Sequence, residues 1–203
     1  PTSRDRQQVL AVWSKMEPAG EHRYLIDERK LSPEVLADPR FAGQVRIDGK
    51  GNAVFPHYDR DGITGYELKN AGFTGFAKGG EKGLWYSSNL GHAGRVVVVE
   101  SAIDAMSLAS LEDLREGSLY LSTGGGWSEA TEAAVRALAS RPNAVLVAAT
   151  DANAQGEVFA GRLREIAEAE GCDWLRLRPS AEDWNDALRA RPIGGKEMAK
   201  RRK

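Results

Sequence analysis

The sequence predicts an α/β protein whose second half forms a parallel sheet with flanking helices, preceded by a small α+β region. From residue 95 onward, extended runs and helical patterns alternate strictly, which is typical of βαβ units. Between residues 44 and 87, short extended runs are separated by turn signals, which predicts an antiparallel meander. Four consecutive valines at residues 96–99 indicate a strand that is buried on both faces of a sheet.

Composition excludes several classes of protein. With 203 residues, 41% hydrophobic and 28% charged, the chain is globular and large enough for one or two domains. No apolar run reaches the roughly 18 residues of a membrane span and no signal-peptide core is present, so we expect a cytoplasmic protein without a membrane partner. The formal net charge of -1 excludes a globally basic nucleic-acid-binding surface. A single cysteine, Cys172, excludes an internal disulfide and a multi-thiolate zinc site, and we interpret it as a packing residue.

The first forty residues predict three small helices. Apolar residues recur at helical spacing over residues 4–16, and Pro18 and Gly20 end that pattern. A second short helix covers residues 24–26. A third begins at Ser32, where the sequence Ser-Pro-Glu provides an N-cap, a proline in the first turn and an early acid.

The meander consists of the runs QVRI, AVFPHY, ITGYEL and GLWYS, which are separated by DGKGN, DRDG and AKGGEKG. Its aromatic side chains could stack nucleic-acid bases or fill the core of a small sheet, and we favour the core. These side chains are Phe55, Tyr58, Tyr66, Phe73, Phe76, Trp85 and Tyr86. We therefore expect residues 1–90 to form a small N-terminal α+β domain.

Residues 91–191 are expected to form the α/β domain. Its strands are predicted at residues 95–99, 118–122, 144–149 and 174–178, and its helices at residues 103–114, 128–139, 158–170 and 183–189. Residues 192–203 form a basic tail that we expect to be disordered. Phosphate contacts from the tail are an alternative to a purely solvated role, through Lys200, Arg201 and Arg202.

Polar side chains follow the predicted parallel strands where each strand ends. Glu100 follows the four valines, and the third strand of the α/β domain runs into Asp151 and Asn153. Because the carboxyl ends of parallel strands meet at one edge of a sheet, we expect these side chains to lie close together. Their oxygens are suited to Mg²⁺ or Mn²⁺, so the sequence predicts a metal site there.

Purely structural roles remain possible for these residues. Asp104 lies in a first helical turn, where the helix dipole alone favours an acid. Asp151 and Asn153 are common turn formers. Asp183 and Asp186 begin the last helix and could reach the same edge as further metal ligands. The expected meeting of several acids at one edge is what favours a site over coincidence.

A glycine-rich segment follows the second strand of the α/β domain. Backbone amides of Thr123, Gly124, Gly125 and Gly126 could contact a phosphate, although a plain tight turn is an equally good interpretation. No Gly-Lys-Ser/Thr follows, so the segment is not a P-loop, and its position does not fit a dinucleotide fingerprint.

The three histidines are scattered along the chain. His22, His57 and His92 have neither metal-ligand nor catalytic-triad spacing. We interpret each of them as a structural histidine that is partly buried or at the surface.

Several motifs together resemble the TOPRIM domain, the metal-binding α/β module of bacterial primases, type IA and type II topoisomerases and some nucleases. These motifs are VVVVESAIDAMS, a strand ending in STGGG, and VLVAATDANAQGE. The run AEDWNDAL is similar to the ending of plasmid and phage primase-like proteins. The segments YLIDERKLSPEVL, NAVFPHYDRDGITGYELKN and GFAKGGEKGLWYSS resemble the small domain that precedes TOPRIM in mobilisation relaxases and conjugative primases. The resemblance covers residues 20 to 191.

This resemblance implies a primase-like nucleotidyltransferase of plasmid or mobile DNA that uses Mg²⁺ or Mn²⁺, and the single cysteine leads us to expect no zinc. Single-stranded DNA and nucleotides would be its partners, joined by a relaxase domain or replication proteins. Glu100 matches the family's general acid/base or metal partner, with Asp104 as a second candidate catalytic residue. Asp151 matches the first aspartate of the Mg²⁺-binding pair, and Gly156 matches the glycine that closes that motif.

The sequence departs from the TOPRIM pattern at Asn153, which stands where the family has a second aspartate. An amide oxygen can bind a metal ion but brings no negative charge, so we expect weaker affinity. Asp104, Asp183 or Asp186 would restore the charge, or the site is weakened. A TOPRIM-type nuclease and a noncatalytic DNA-binding or docking module of a relaxase therefore remain alternatives. No tyrosine has an obvious nucleophile context, which disfavours a topoisomerase.

Overall fold

The computed structural model describes residues 2–88 and 93–192. Within these residues the chain forms two five-stranded sheets, with helices packed against both. None of the helices in the described part is long and apolar enough to span a bilayer. The predicted architecture, an antiparallel first region followed by an α/β region, is confirmed.

The N-terminal helices begin where their capping residues predict. Helix α1 spans Ser3–Trp13 and starts with a capping box between Thr2 and Asp5. Helix α2 spans Pro33–Ala37, and the Ser32 hydroxyl accepts the Val35 N–H at its start. The predicted middle helix is a π-helical turn over Tyr24–Glu28.

The first sheet is the predicted meander, with neighbouring strands antiparallel in the order β1-β2-β3-β4-β5. Two of its strands, the first and the last, were not predicted. The strands are β1 Glu17–Pro18, β2 Arg46–Ile47, β3 Ala53–Asp59, β4 Gly62–Asn70 and β5 Phe73–Phe76.

The second sheet has the order β10-β9-β7-β8-β6. Its strands are β6 Trp85–Tyr86, β7 Arg95–Val99, β8 Ser118–Ser122, β9 Val145–Ala148 and β10 Asp173–Arg176. Strands β7 to β10 are parallel, whereas β6 pairs antiparallel with β8. The prediction that GLWYS belongs to the meander was therefore wrong for Trp85 and Tyr86, although Leu84 pairs with Tyr58 of β3 through an antiparallel bridge. Trp85 and Tyr120 both pack on Phe41, and this burial places β6 at the edge of the second sheet.

Four helices flank the second sheet: α3 Ala102–Leu111, α4 Glu129–Ala139, α5 Ala154–Glu170 and α6 Trp184–Arg189. Helices α3 and α6 cover one face, and helices α4 and α5 cover the other. Helix α5 begins four residues before the predicted residue 158. Asn153 caps it there, a start signal that the prediction did not use.

Strand β7 lies at the centre of the core. Val97 and Val99 point into one buried cluster and Val96 and Val98 into another, and all four are fully buried. The first cluster also contains buried residues of the N-terminal region, among them Leu25, Phe41 and Phe55. The two predicted domains thus share a core, and the boundary between residues 90 and 91 stays a prediction.

Most of the meander aromatics contribute to packing, as the core interpretation expects. Phe55 and Trp85 are buried, while Phe73 is the exposed exception at 48%. The remaining four are half-buried against the clusters: Tyr58, Tyr66, Phe76 and Tyr86.

Two histidines are more deeply buried than predicted. His22 Nε2 lies 3.0 Å from the Gly51 carbonyl, and His57 Nδ1 lies 2.8 Å from the Gly83 carbonyl. Burial lowers the pKa of His57. His92 and the tail residues Lys200, Arg201 and Arg202 lie outside the described residues. Cys172 is half-buried against the second cluster, as expected of a packing residue, and burial raises its pKa.

Candidate metal and catalytic site

Glu100 directly follows β7 and joins the ends of three strands. Its backbone carbonyl accepts hydrogen bonds from the Ser122 hydroxyl and the Gly125 N–H, both at 3.0 Å. Its side-chain Oε1 accepts the Asp151 N–H at 3.1 Å. Burial raises the pKa of Glu100, while the Asp151 N–H and the positive charge of Arg176 act in the opposite direction. The predicted meeting of Glu100 and Asp151 is present in the structure.

Asp104 is buried in the first turn of α3, with 6% of its surface exposed. Its carboxylate accepts hydrogen bonds from the Ser101 hydroxyl and, at 3.1 Å, from the Asn185 N–H. Burial raises its pKa to about 6, and the charges of Asp183 and Glu100 add to the shift. A helix-start acid needs no burial, so the helix dipole alone does not account for the burial of Asp104.

Asp151 carries the most perturbed carboxyl group of the cluster. Burial raises its pKa to about 7, and the negative charges of Asp104, Glu100 and other nearby acids contribute. Its Oδ1 is buried, and no described residue donates a hydrogen bond to it. A buried carboxylate oxygen without a donor costs free energy unless a proton or a cation satisfies it.

The turn that carries Asp151 depends on a glycine. A Cβ atom at Gly156 would lie 2.1 Å from the Asp151 carbonyl oxygen, so only glycine fits this approach. The Thr150 hydroxyl also donates to the Gly156 carbonyl at 2.7 Å. The TOPRIM resemblance assigned Gly156 to the end of the metal-binding motif, and the close approach gives the physical reason.

Arg176 is a residue of the site that the sequence analysis missed. Its Nη1 donates to the carbonyls of Ala148 and Thr150, and its Nη2 donates to the carbonyl of Asp151 and the carboxylate of Glu157. The guanidinium therefore fixes the backbone at the end of β9. No sequence signal other than its place in a strand marked it.

Asn153 acts as the N-cap of α5. Its Oδ1 accepts the Gly156 N–H at 2.9 Å, which satisfies one of the free amides at the helix start. The amide oxygen is thus already bound within the protein. This contact agrees with the turn-forming interpretation of Asn153. Its role as a metal ligand stays a prediction, since an amide oxygen can accept a second partner.

The two acids at the start of α6 have different surroundings. Asp183 caps the helix by accepting the Asp186 N–H at 2.7 Å, and its charge raises the pKa of both Asp104 and Asp151. Asp186 pairs with Arg189 on its own helix at 3.2 Å. Asp183 therefore lies near the carboxylates, whereas Asp186 is engaged on the helix surface.

Helix α6 is anchored to the site by two buried side chains. The Trp184 indole donates to the Ala149 carbonyl at 2.7 Å. The Asn185 amide donates to the Arg29 carbonyl at 2.7 Å and to the Ser107 hydroxyl at 2.9 Å. The N-terminal region thus contacts the residue that holds Asp104, a connection that the sequence pattern does not reveal.

The glycine-rich segment supports Glu100 instead of presenting free amides. The N–H groups of Thr123, Gly124, Gly125 and Gly126 donate to the Val99 carbonyl, the Ser122 hydroxyl, the Glu100 carbonyl and the Thr123 carbonyl, respectively. Positive φ angles at Gly124 and Gly125 require glycine there. Because all four amides already have acceptors, the predicted phosphate contact through these amides is not available in this conformation.

The carboxylates could provide only one or two protein ligands to a divalent cation. Within residues 2–88 and 93–192, no three His, Cys, Asp or Glu side chains form a group that by itself could hold a metal ion. Mg²⁺, however, binds proteins through one or two carboxylates and keeps several waters. The Asp151 oxygen without a donor and the neighbouring Glu100 fit that mode.

Comparisons with known proteins agree with this architecture. Residues 97–188 match the Toprim-like family, and residues 23–93 match a family described as a protein of unknown function (DUF3991). No curated protein matches the sequence.

Two bacteriophage T7 structures share the fold. The primase fragment of the T7 primase-helicase protein matches with a TM-score of 0.51 and 17% identity, over 84% of this chain and 73% of that one. The second match is a chain from a structure of the T7 lagging-strand DNA polymerase interacting with primase domains bound to an RNA/DNA hybrid and dTTP. It has a TM-score of 0.55 and 19% identity, and the match covers 85% of this chain and 74% of that one. Residues 97–188 therefore match a Toprim-like domain, and the chain shares its fold with the T7 primase fragment.

Proposed function

We propose that this protein is a primase-like nucleotidyltransferase that uses Mg²⁺ or Mn²⁺ and acts on single-stranded DNA. The observation that carries the proposal is the buried, unpaired Oδ1 of Asp151 beside Glu100 and Asp104 at the carboxyl edge of the second sheet. The Toprim-like match and the T7 primase fold support a metal-dependent enzyme of nucleic acids. The nucleotidyl-transfer reaction is our inference from both.

Asp151 and Glu100 would hold the metal ion. A bound Mg²⁺ would neutralise charge on the reacting phosphates and orient the attacking oxygen. The remaining chemistry belongs to the protein. The Oε1 atom of Glu100 accepts a hydrogen bond from the Asp151 N–H, and its Oε2 accepts none from any described residue. That oxygen can accept the proton of an attacking hydroxyl, and burial raises its pKa in the direction a general base requires.

Asp104 would act behind these two groups. Its carboxylate is buried and held by the Ser101 hydroxyl and the Asn185 N–H, so it has little access to a substrate. Its charge raises the pKa of Asp151. We therefore assign Asp104 the role of keeping the edge negative and attractive to a cation.

The biological setting that we propose is the replication or transfer of plasmid or other mobile DNA. It rests on the resemblance of residues 20 to 191 to conjugative primases and to the C-terminal region of mobilisation relaxases. Single-stranded DNA and nucleotides would be the partners, with a relaxase domain or replication proteins alongside. The cytoplasmic location stays a prediction.

A primer-synthesis assay tests the proposed reaction. Wild type, Mg²⁺ or Mn²⁺, ribonucleotides and varied single-stranded templates should give template-directed oligoribonucleotides. Glu100→Gln keeps the side-chain shape but removes the proton acceptor, and we expect at least a roughly 100-fold loss of rate. Glu168→Gln, an exposed acid paired with Arg164 on α5, is the matched control and should retain full activity. Absence of product with folded wild type, both metals and all templates would contradict the proposal.

A metal-dependent nuclease is the second candidate, because the same carboxylate edge could cleave a phosphodiester. Incubation of supercoiled plasmid with Mg²⁺ separates the two reactions. Nicking without primer synthesis would favour the nuclease.

A noncatalytic docking module with a degenerate metal site is the third candidate. It is favoured by the capping role of Asn153 and by the absence of a three-ligand group among the described residues. Calorimetric titration of wild type and Asp151→Ala with Mg²⁺, in the presence of single-stranded DNA, decides this point. Equal, negligible heat in both proteins would leave the docking module in front.

A further inference from the structure

We propose that a cleft between α4 and the first sheet binds an unpaired nucleobase. The cleft has a volume of about 820 Å³ and is bounded by the end of β3, residues 81–84, β6 and the exposed side of α4. It includes none of the carboxylates of the candidate site. The inference deepens the proposed function and rests on it for the class of substrate, a nucleic acid or nucleotide.

The walls of the cleft are aromatic and apolar. The rings of Tyr58 and Tyr86 lie 4.7 Å apart at 32° on one side, next to Leu84 and Leu121. Small alanine side chains of α4 form the opposite side. A volume of this size lies within the range of about 300 to 1,000 Å³ that is typical of ligand pockets. Planar ligands suit such walls because stacking on an aromatic side chain is tolerant of the base.

The cleft also offers hydrogen-bonding groups that the protein leaves free. Both tyrosines are half-buried, and neither hydroxyl has a hydrogen-bond partner among the described residues. Burial raises the pKa of Tyr58 to about 12 and also raises that of Tyr86, so both phenols stay neutral donors at physiological pH.

The charges at the rim favour a base over a phosphate chain. Arg60 and Lys82 face three acids, Asp59, Glu81 and Glu129. A track for the phosphate backbone needs an excess of cations, and this rim has none. An uncharged planar group with polar edges, such as a nucleobase, suits the combination of apolar walls, free hydroxyls and a rim without excess positive charge.

The cleft lies beside the candidate site. Lys82 Nζ donates to the Gly124 carbonyl at 3.3 Å, and Gly124 belongs to the segment that supports Glu100. A strand with one base in the cleft would therefore pass Lys82 on its way to the carboxylate edge.

A cleft-filling substitution tests the inference. Ala133 lines the cleft and is exposed on α4, so Ala133→Trp fills the space without disturbing the core. Val158→Trp, at a 51% exposed position on α5 outside the cleft, is the matched control. Both variants should keep the thermal stability of wild type.

The probe is a short single-stranded oligonucleotide that contains 5-iodouracil, with a metal chelator present. Ultraviolet crosslinking followed by mass spectrometry should map the base to Tyr58 or Tyr86 in wild type and in Val158→Trp. In Ala133→Trp the crosslink should disappear, and anisotropy should show about tenfold weaker binding, as expected for one lost base stack. Tyr86→Phe keeps the ring and should keep the crosslink.

A second arm identifies the source of the base. Competition by ATP for the crosslink would assign the cleft to an incoming nucleotide, and lack of competition would assign it to the template strand. The inference is overturned by crosslinks that map elsewhere, or by equal binding in wild type and Ala133→Trp. It is also overturned if light scattering shows a wild-type dimer that Ala133→Trp dissociates, since a second copy would then occupy the cleft.

The same experiment separates this inference from the proposed enzyme. Binding is measured without metal, so a cleft crosslink in a protein that makes no primer would contradict the proposed enzyme but support the base site. Normal primer synthesis by Ala133→Trp would contradict the base site but support the enzyme.

Discussion

The two ends of strand β7 have opposite electrostatics. At its amino end, Arg95 donates to both oxygens of Glu112, at 2.7 and 2.9 Å, and also to the Ser118 hydroxyl. The Tyr120 hydroxyl completes this network by donating to Glu112. At its carboxyl end, the charge of Glu100 raises the pKa of both Asp104 and Asp151. At the amino end each charge has its partner, whereas at the carboxyl end negative charges outnumber positive ones.

This difference separates stability from function. A satisfied buried pair needs no ligand, because each charge already has its partner. Clustered carboxylates persist at a cost in stability, and such a cost is typical of sites that bind a cation or move a proton. The carboxyl end is also where open α/β sheets bind ligands. We therefore expect substitutions at the two ends to change stability in opposite directions.

The largest effect is expected at the amino end. Glu112→Gln leaves the buried Arg95 guanidinium without its counter-charge, which should lower the free energy of unfolding by about 3 kcal/mol. Urea denaturation measures the change. Metal binding by the remaining folded protein should be unaffected. A loss below about 1 kcal/mol would show that the pair contributes little, and the contrast between the two ends would fail.

The opposite sign is expected for Asp151→Asn. The unfolded carboxyl group loses its proton near pH 4, while the folded one retains it to about pH 7. The free energy of unfolding of wild type therefore falls as pH rises from about 4 to 7 and stays low above that. The variant avoids this cost, so it should be more stable at pH 8. The gain should be on the order of 1 kcal/mol, because the half-buried group is partly screened by solvent.

Thermal unfolding at pH 4.5 and pH 8 in a chelator checks this prediction. The variant should exceed wild type only at pH 8, and Mg²⁺ added in place of the chelator should stabilise wild type but not the variant. Equal melting temperatures of wild type and variant at both pH values would show that the Asp151 charge does not destabilise the fold.

The sequence predicted the second sheet well because its signals are local. Four buried valines, alternating helices and polar strand ends specify β7 and place Glu100 and Asp151 at one edge. The first sheet was harder, since β1 is only two residues long and owes its pairing with β2 to a contact between distant segments. Likewise, β6 joined the second sheet through the burial of Trp85, which no local pattern reveals.

The sequence predicted the site residues that directly follow a strand. It was less informative for residues whose role is set by hydrogen bonds in the folded structure. In the sequence, Asn153 is equally good as a ligand or as a cap, and only the folded structure shows the bond to the Gly156 N–H that makes it a cap. Arg176 and Asn185 hold the site through backbone carbonyls and amides. Such contacts depend on the folded geometry and leave no mark in residue spacing.

The smallest effect on stability is expected for Asn153→Asp, which restores the acid that the TOPRIM pattern has at this position. Aspartate and asparagine are equally good N-caps, and an acid suits a helix start, so the free energy of unfolding should change by less than about 0.5 kcal/mol. One carboxylate oxygen can keep the Gly156 N–H while the other is free to bind a cation. Calorimetry with Mn²⁺ should therefore show higher affinity than wild type, with Gln8→Glu, at an exposed position on α1, as the control for one added negative charge. Unchanged affinity would mean that residue 153 serves α5 alone and that the metal ion depends on Glu100 and Asp151 for its protein ligands.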